Sequence, residues 1–348
     1  MLRRPKVAVL GANGQVGAEL TLLLALQGEV EPVAVGRSAY GLALLRKLGT
    51  ECRVSPDLQT LPDVIADCDV VVDLALPSRP NTAEMRADIR ARAEVLNGRL
   101  PPSTKLIYTS TLSVLPQTPG EPKHTIYRAT KLYAERKYGL GARRSDREFF
   151  VLRLGQVHGA MQGATLGMMR FVLDHDHIRV PSVPSITMFV STLAEAVEQI
   201  SAGRVKGGTY NLTAIPPLSY EELTNWIADE ANTTISVTVE TSSFPGRMAR
   251  TQNKIRAQIS RQIVRHKEFL TDIGYHLFPD RIDKARVDHH CRLAAQQMSA
   301  WANANAPAPY VQNRAFPDTN LQTLSDPRQS MPPRHALVKA RIAELLQV

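Results

Sequence analysis

The chain has 348 residues, 43% of them hydrophobic and 22% charged, which suits a soluble globular protein of about two domains and excludes a collagenous, coiled-coil or globally disordered chain. With 42 Lys and Arg against 33 Asp and Glu the formal charge is +9, so an anionic partner is favoured, whether nucleic acid, phosphorylated metabolite or acidic protein. Three scattered cysteines, no run of 18 apolar residues and no signal-type leader exclude a disulfide scaffold and point to a cytoplasmic protein without a membrane partner.

Residues 6–10 (KVAVL) are a short apolar, β-rich run that ends at Gly11, and Gly14 and Gly17 follow before the apolar segment 18–26. That order is strand, glycine turn, helix. Residues 32–35 and 70–76 read as further strands with a helix-like stretch at 61–67 between them, and 106–108 and 149–152 as two more, each preceded by a helical segment. The alternation predicts an α/β fold, a doubly wound parallel sheet of Rossmann type, over residues 1–165. Such sheets bind ligands at their carboxyl ends. Beyond residue 163 the pattern loosens into a helix at 193–200, a strand at 209–212 and a helix at 219–231 that opens with a Ser219/Glu222 capping box. Residues 166–301 are expected to form a smaller mixed α/β substrate part, some of whose segments return to the Rossmann core. Residues 302–348, opening on a stretch rich in Pro, Asn, Gln and Ala, are expected to be a surface-lying or mobile tail.

Gly11, Gly14 and Gly17 spell GxxGxxG directly after a strand and at the start of a helix. The first permits the turn, the second lets backbone N–H groups approach a pyrophosphate, and the third allows close helix–strand packing, while the helix N-terminus supplies positive potential. Asn13, Gln15 and Val16 belong to the same dinucleotide cradle. The second strand ends at Gly36, Arg37 and Ser38, where an acid would normally bind the adenosine ribose of NAD. A guanidinium beside a hydroxyl suits a 2′-phosphate and favours NADP. An Arg37 that faces solvent or stacks on adenine leaves NAD.

Tyr127 and Lys131 stand four residues apart, on one helix face and one turn from each other. A phenol of pKa ~10 is a poor acid–base group at neutral pH, but an adjacent ammonium stabilises phenolate. The same lysine can hydrogen-bond a nicotinamide ribose. Ahead of this pair, Tyr108, Thr109, Ser110 and Thr111 form a hydroxyl-rich strand end that could hold a substrate oxygen.

Four further stretches complete a pattern: 69–75 (DVVVDLA), similar to D-x-V-x-H-x-A; 153–159 (RLGQVHG), similar to R-x-x-N-V-Y-G; 187–194 (TMFVSTLA), similar to F-V-x-V-x-D-x-A; and 269–275 (FLTDIGY), similar to a closing L-G-[WY]. Over residues 5–301 the chain resembles the extended short-chain dehydrogenase/reductase family, the NAD-dependent epimerase/dehydratase enzymes of nucleotide sugars. The resemblance implies Thr111 as the catalytic hydroxyl, three positions before Val114, with Ser110 as the alternative. It makes Tyr127 the general acid/base, Lys131 the group that lowers its pKa and grips the ribose, Ala75 a cofactor contact and Gln156 a substrate contact. Asp73 replaces the family histidine, His158 a tyrosine, and Ser191 with Thr192 an acidic stretch.

The implied activity is NAD(P)-dependent hydride transfer at a secondary alcohol or ketone of a nucleotide-linked sugar. Leu112 and Ser113 stand where family 4,6-dehydratases carry Asp-Glu, which points to an epimerase or keto-reductase and leaves those two open. The family places substrate-phosphate cations in its carboxyl-terminal part, so Arg247 and Arg250, which open a run of seven Lys and Arg over residues 247–267, are the candidates. That run lacks interleaved aromatics, against a nucleic-acid surface. The stretches 174–177 (DHDH) and 288–291 (DHHC) lack metal-ligand spacing. A homodimer is compatible with all of this. The rival function is a non-catalytic NAD(P)-sensing regulator or scaffold, which would keep the glycines and lose Tyr127 and Lys131.

Overall fold

The computed structural model describes residues 3–75, 82–115, 125–182, 185–214, 218–230, 233–240 and 313–315. In chain order the elements are β1 (Lys6–Leu10), α1 (Gln15–Gln27), β2 (Glu31–Gly36), α2 (Ala43–Lys47), β3 (Glu51–Val54), α3 (Leu61–Val64), β4 (Val70–Asp73), α4 (Thr82–Arg99), β5 (Lys105–Thr111), α5 (Thr125–Arg144) and β6 (Phe149–Leu154). There follow β7 (Gln156–His158), α6 (Gly163–Asp174), β8 (His177–Pro181), β9 (Thr187–Phe189), α7 (Val190–Ser201), β10 (Gly208–Ala214), α8 (Tyr220–Glu230), β11 (Ser236–Glu240) and β12 (Asn313–Ala315).

The main sheet runs β12-β10-β6-β5-β4-β1-β2-β3. From β3 to β10 every pairing is parallel, and β12 lies antiparallel on β10. This is the expected Rossmann-type arrangement. Residues 313–315 of the tail form β12 at the sheet edge. β10 and α7 lie beyond residue 165 yet belong to the main sheet and its helical layer. β8 pairs with β11 and β7 with β9, both parallel. Among the described residues no helix is long and apolar enough to cross a membrane.

Strand period 2 divides the core between the two faces of the sheet. Val7, Val9, Val70 and Val72 face a cluster with Leu20 and Leu24 of α1 and Leu193 and Val197 of α7. Ala8, Leu10 and Val71 face Ile89 and Leu96 of α4 and Ala134 and Tyr138 of α5. Val9 sits in register between Ala34 and Val72. With helices on both faces these strands are buried throughout and read as continuous apolar runs. α1 is buried from Gly17 to Leu24, so packing rather than amphipathic patterning holds it.

The sequence pattern missed β3, because Glu51, Cys52, Arg53 and Val54 form a half-exposed edge strand with no apolar run. The Ser219/Glu222 capping box forms as expected: the Glu222 N–H donates to Ser219 Oγ at 3.0 Å and the Ser219 N–H to Glu222 Oε2 at 2.7 Å.

Arg147 fastens the end of α4. Its buried guanidinium donates to the carbonyls of Pro101 and Thr104 at 2.6 Å each and of Leu100 at 2.9 Å, in the turn that follows the helix end. Arg147→Met is expected to cost roughly 1.5–3 kcal/mol in urea denaturation, the range for hydrogen bonds to a charged group. Unchanged stability would mean that the cost of burying the guanidinium cancels its bonds.

Candidate active site

The sheet order reverses between β1 and β4, the switch point at which doubly wound sheets bind ligands. A cavity of about 460 Å³ opens there, lined by Gly11, Asn13 and Gly14 after β1, Gly36 and Arg37 at the end of β2, and Ala75 after β4. Gly11 adopts φ +81°, and a methyl on it would lie 3.1 Å from the Ala75 backbone. A methyl on Gly17 would lie 2.4 Å from the Gly11 carbonyl oxygen, so these two glycines set how closely α1 approaches the turn. Gly14 caps α1 without a side-chain hydrogen bond, and the first turn carries no acid. The helix N-terminus therefore faces the cavity with backbone amides and no carboxylate in its own first turn, which fits the diphosphate of a dinucleotide. Two expected cradle residues use their side chains elsewhere: Gln15 Oε1 accepts the Gly163 N–H at 3.2 Å, and Val16 packs against the core.

Arg37 is exposed at the cavity. Ser38 Oγ accepts the Gly41 N–H at 3.3 Å, so the hydroxyl beside Arg37 is already engaged as an acceptor. Ser55 and Asp57 bring β3 to the same wall. Asp57 Oδ1 accepts the N–H groups of Gln59 and Thr60 at 2.9 Å each, and these bonds, Thr60 foremost, hold its carboxyl below the usual range. Sequence reasoning missed this segment, although an Asp with a Thr three residues on, just before a helix, is a readable turn signature.

β5 ends at Thr111, whose Oγ1 accepts the Ser113 N–H at 3.3 Å and donates to Ser113 Oγ at 3.2 Å. Tyr127, 41% exposed, has its phenol near the Thr111 hydroxyl; burial pushes the phenol up and the neighbouring Thr111 pulls it down. Thr111 and Tyr127 are thus neighbours at the end of β5. The alternative hydroxyl, Ser110, is buried with no partner among the described residues. Lys131 sits one turn along α5, 7% exposed, and its ammonium donates to the Thr109 carbonyl at 2.8 Å. Burial pushes Lys131 down to about 8, against the pull of Asp73 and Glu135. The downward pull on the Tyr127 phenol comes from Thr111 and not from Lys131, whose ammonium is directed to the strand.

Gln156 opens β7, half-buried, with its N–H donating to the Ile186 carbonyl at 2.7 Å. Arg247 and Arg250 lie outside the described residues. The loop after β7 is seated on α1 by Glu19, a buried carboxylate the sequence reasoning passed over. It accepts the N–H of Ala160 at 2.8 Å, that of Met161 at 2.9 Å and the Gln162 side-chain amide at 2.7 Å. Burial lifts Glu19 to about 7 in spite of these three donors.

No family model and no curated protein matches the chain by sequence. Solved structures do. UDP-N-acetylglucosamine 4-epimerase from Bacillus cereus is 19% identical, with a TM-score of 0.55 over 70% of this chain and 87% of that one. UDP-N-acetylglucosamine 4-epimerase from Methanobrevibacter ruminantium M1, in complex with UDP-N-acetylmuramic acid, is 17% identical, with a TM-score of 0.54 over 71% and 88%. dTDP-glucose 4,6-dehydratase from Bacillus anthracis, in complex with NAD, is 15% identical, with a TM-score of 0.52 over 72% and 90%. At these identities the likeness is one of fold: the chain has the fold of the extended short-chain dehydrogenase/reductases.

Proposed function

We propose that the protein is a nicotinamide-dinucleotide-dependent enzyme of that family, acting on a secondary alcohol or ketone of a nucleotide-linked sugar as an epimerase or keto-reductase. The observation that carries this is the gathering of Thr111, Tyr127 and Lys131 at the carboxyl end of β5, on the same sheet edge as the glycine turn two strands away. A bound nicotinamide would supply a hydride acceptor and donor. On this reading Tyr127 Oη takes the proton from the substrate hydroxyl and returns it, while Thr111 Oγ1 holds that oxygen in line. Lys131, kept charged near the strand end, is placed to grip the ribose. Leu112 and Ser113 give no acid–base pair for water elimination, which argues against 4,6-dehydration even though one structural neighbour is such an enzyme.

For the cofactor, the neighbours solved with NAD support NAD(H), whereas NADP rests on Arg37 alone. Fluorescence titration with both dinucleotides decides between them. If Arg37 pairs with a 2′-phosphate, Arg37→Ala weakens NADP by about 1.5–3 kcal/mol and leaves NAD nearly unchanged. Equal losses would mean that Arg37 stacks on adenine, and tighter binding of NAD by the unaltered protein would overturn the preference for NADP.

The activity is tested by incubating the protein with each dinucleotide and UDP- or dTDP-linked hexoses and following the sugar by NMR. A new epimer without net cofactor turnover identifies an epimerase, and stoichiometric cofactor oxidation a reductase. Dinucleotide binding with no conversion of any sugar would leave the cofactor-sensing scaffold in its place.

A further inference from the structure

Asp73, the last residue of β4, is 1% exposed. Its Oδ1 accepts the Ala75 N–H at 2.9 Å and lies 3.6 Å from Arg92 Nη1, and its Oδ2 accepts the Tyr138 hydroxyl. Two chains of contacts join Asp73 to Lys131, one from its carboxylate and one from its backbone carbonyl. On one, Tyr138 stacks on Tyr108 with ring centroids 4.7 Å apart, and the Lys131 ammonium stands 5.0 Å from the centroid of that second ring. On the other, Thr109 Oγ1 donates to the Asp73 carbonyl at 2.8 Å while the Thr109 carbonyl receives the Lys131 ammonium.

A buried ammonium needs a compensating charge. Two acids bear on Lys131, Asp73 and Glu135. Glu135 is already committed: Arg153 donates to both of its oxygens, at 3.1 and 2.8 Å. Asp73 is left as the balancing charge, and it is shared with Arg92, which lines the dinucleotide cavity, donates to the Ala75 carbonyl at 2.7 Å and is flanked one turn earlier on α4 by Asp88. The groups around Lys131 are therefore Asp73 on β4, Tyr108 on β5, Arg92 on α4, Tyr127 and Glu135 on α5, and Arg153 on β6 through Glu135.

We propose that Asp73 is a positioning residue that keeps the Lys131 ammonium protonated in its buried seat, and that Arg92, by competing for the same carboxylate, sets how strongly it does so. The sequence departs from the family pattern at this point, with Asp73 where a histidine is usual. A neutral imidazole would supply no balancing charge. With Lys131 already brought down to about 8 by burial, losing Asp73 would leave much of it neutral near pH 7.5, unable to grip a ribose as a cation. The proposal depends on the preceding section only for the use made of Lys131, not for its protonation.

The test is an NMR titration of the full chain carrying ¹³Cε-labelled lysine, without cofactor, the Lys131 signal being assigned by its loss in Lys131→Met. Asp73→Asn, nearly isosteric, is expected to lower the Lys131 midpoint by about 1–3 pH units, the effect of removing an opposite charge nearby. Arg92→Met is expected to raise it. A purely structural role would move both variants the same way or neither, and either result overturns the proposal. If Asp73→Asn fails to fold, the upward shift in Arg92→Met decides alone, and no shift there refutes it. In turnover assays the alkaline limb should move down in Asp73→Asn by the same amount. Should the protein turn over no sugar, the NMR midpoints still decide, so failure of the enzymatic function and failure of this proposal are separable.

Discussion

Replacing Tyr127 by Phe is expected to reduce turnover at least ~10²-fold while nicotinamide dinucleotide binding survives, because a positioned acid–base group contributes that much or more. The substitution removes one oxygen and keeps the ring. The ring is 41% exposed at the site, so its loss of a hydroxyl leaves no polar group stranded in the core, and Thr111 retains Ser113 as a partner. Folding and Tm should therefore stay close to those of the unaltered protein, and the deficit should appear in kcat rather than KM. Lys131→Met is the companion measurement. On the proposed reading the ammonium grips the ribose that positions the nicotinamide, so turnover and dinucleotide affinity should fall together. A fall in turnover alone removes the ribose contact, and undiminished turnover in Tyr127→Phe removes the acid–base role.

The glycine-lined half of the candidate site was legible because its signals are local. A strand, three glycines at fixed spacing and a helix lie within residues 6–27, and the structure joins Gly11, Asn13, Gly14, Arg37 and Ala75 around one cavity. Thr111 and Tyr127 were legible because the strand end and the helix carrying Tyr127 are consecutive elements, β5 and α5. What escaped was built from residues far apart in sequence. Glu19 meets residues 160–162 and Asp73 meets Arg92 and Tyr138, pairings that only the folded sheet creates. Glu19, among Ala18, Leu20 and Leu22, even interrupts an apolar run and offers no periodicity of its own. β3 was missed for the opposite reason: an edge strand needs little burial, so it leaves little hydrophobic signal.

The two side chains of the pair part company in the folded chain. Four-residue spacing puts Tyr127 and Lys131 on one helix face, but that does not bring the ammonium to the phenol. Lys131 reaches into the strand layer, where the Thr109 carbonyl, the Tyr108 ring and the field of Asp73 hold it. The phenol is left more exposed, with Thr111. The two groups thus sit in different environments, one buried beside an acid and one at the cavity edge, which is the condition under which their protonation can be set separately.

Gly17→Ala should be the most damaging single methyl that can be added to the described part of the cradle. The new carbon would lie 2.4 Å from the Gly11 carbonyl oxygen and 2.9 Å from the Ala12 Cα. Both obstacles are backbone, with no flexible side chain to swing aside, so α1 must move away from β1. Overpacking of this kind costs roughly 1–3 kcal/mol. The same displacement takes the Gly14 N-terminus of α1 away from the diphosphate position, so dinucleotide affinity should drop by more than tenfold, beyond what the loss of stability alone produces. Gly167→Ala is the control. Gly167 lies inside α6, where an added carbon meets nothing within 4 Å. There the change should stabilise by up to about 1 kcal/mol through helix propensity and leave binding untouched. Opposite signs for one methyl at two helical glycines would assign the loss at Gly17 to contact between helix and turn, whereas equal stability in the two variants would show that α1 can shift freely and that the third glycine is not what holds the cradle together.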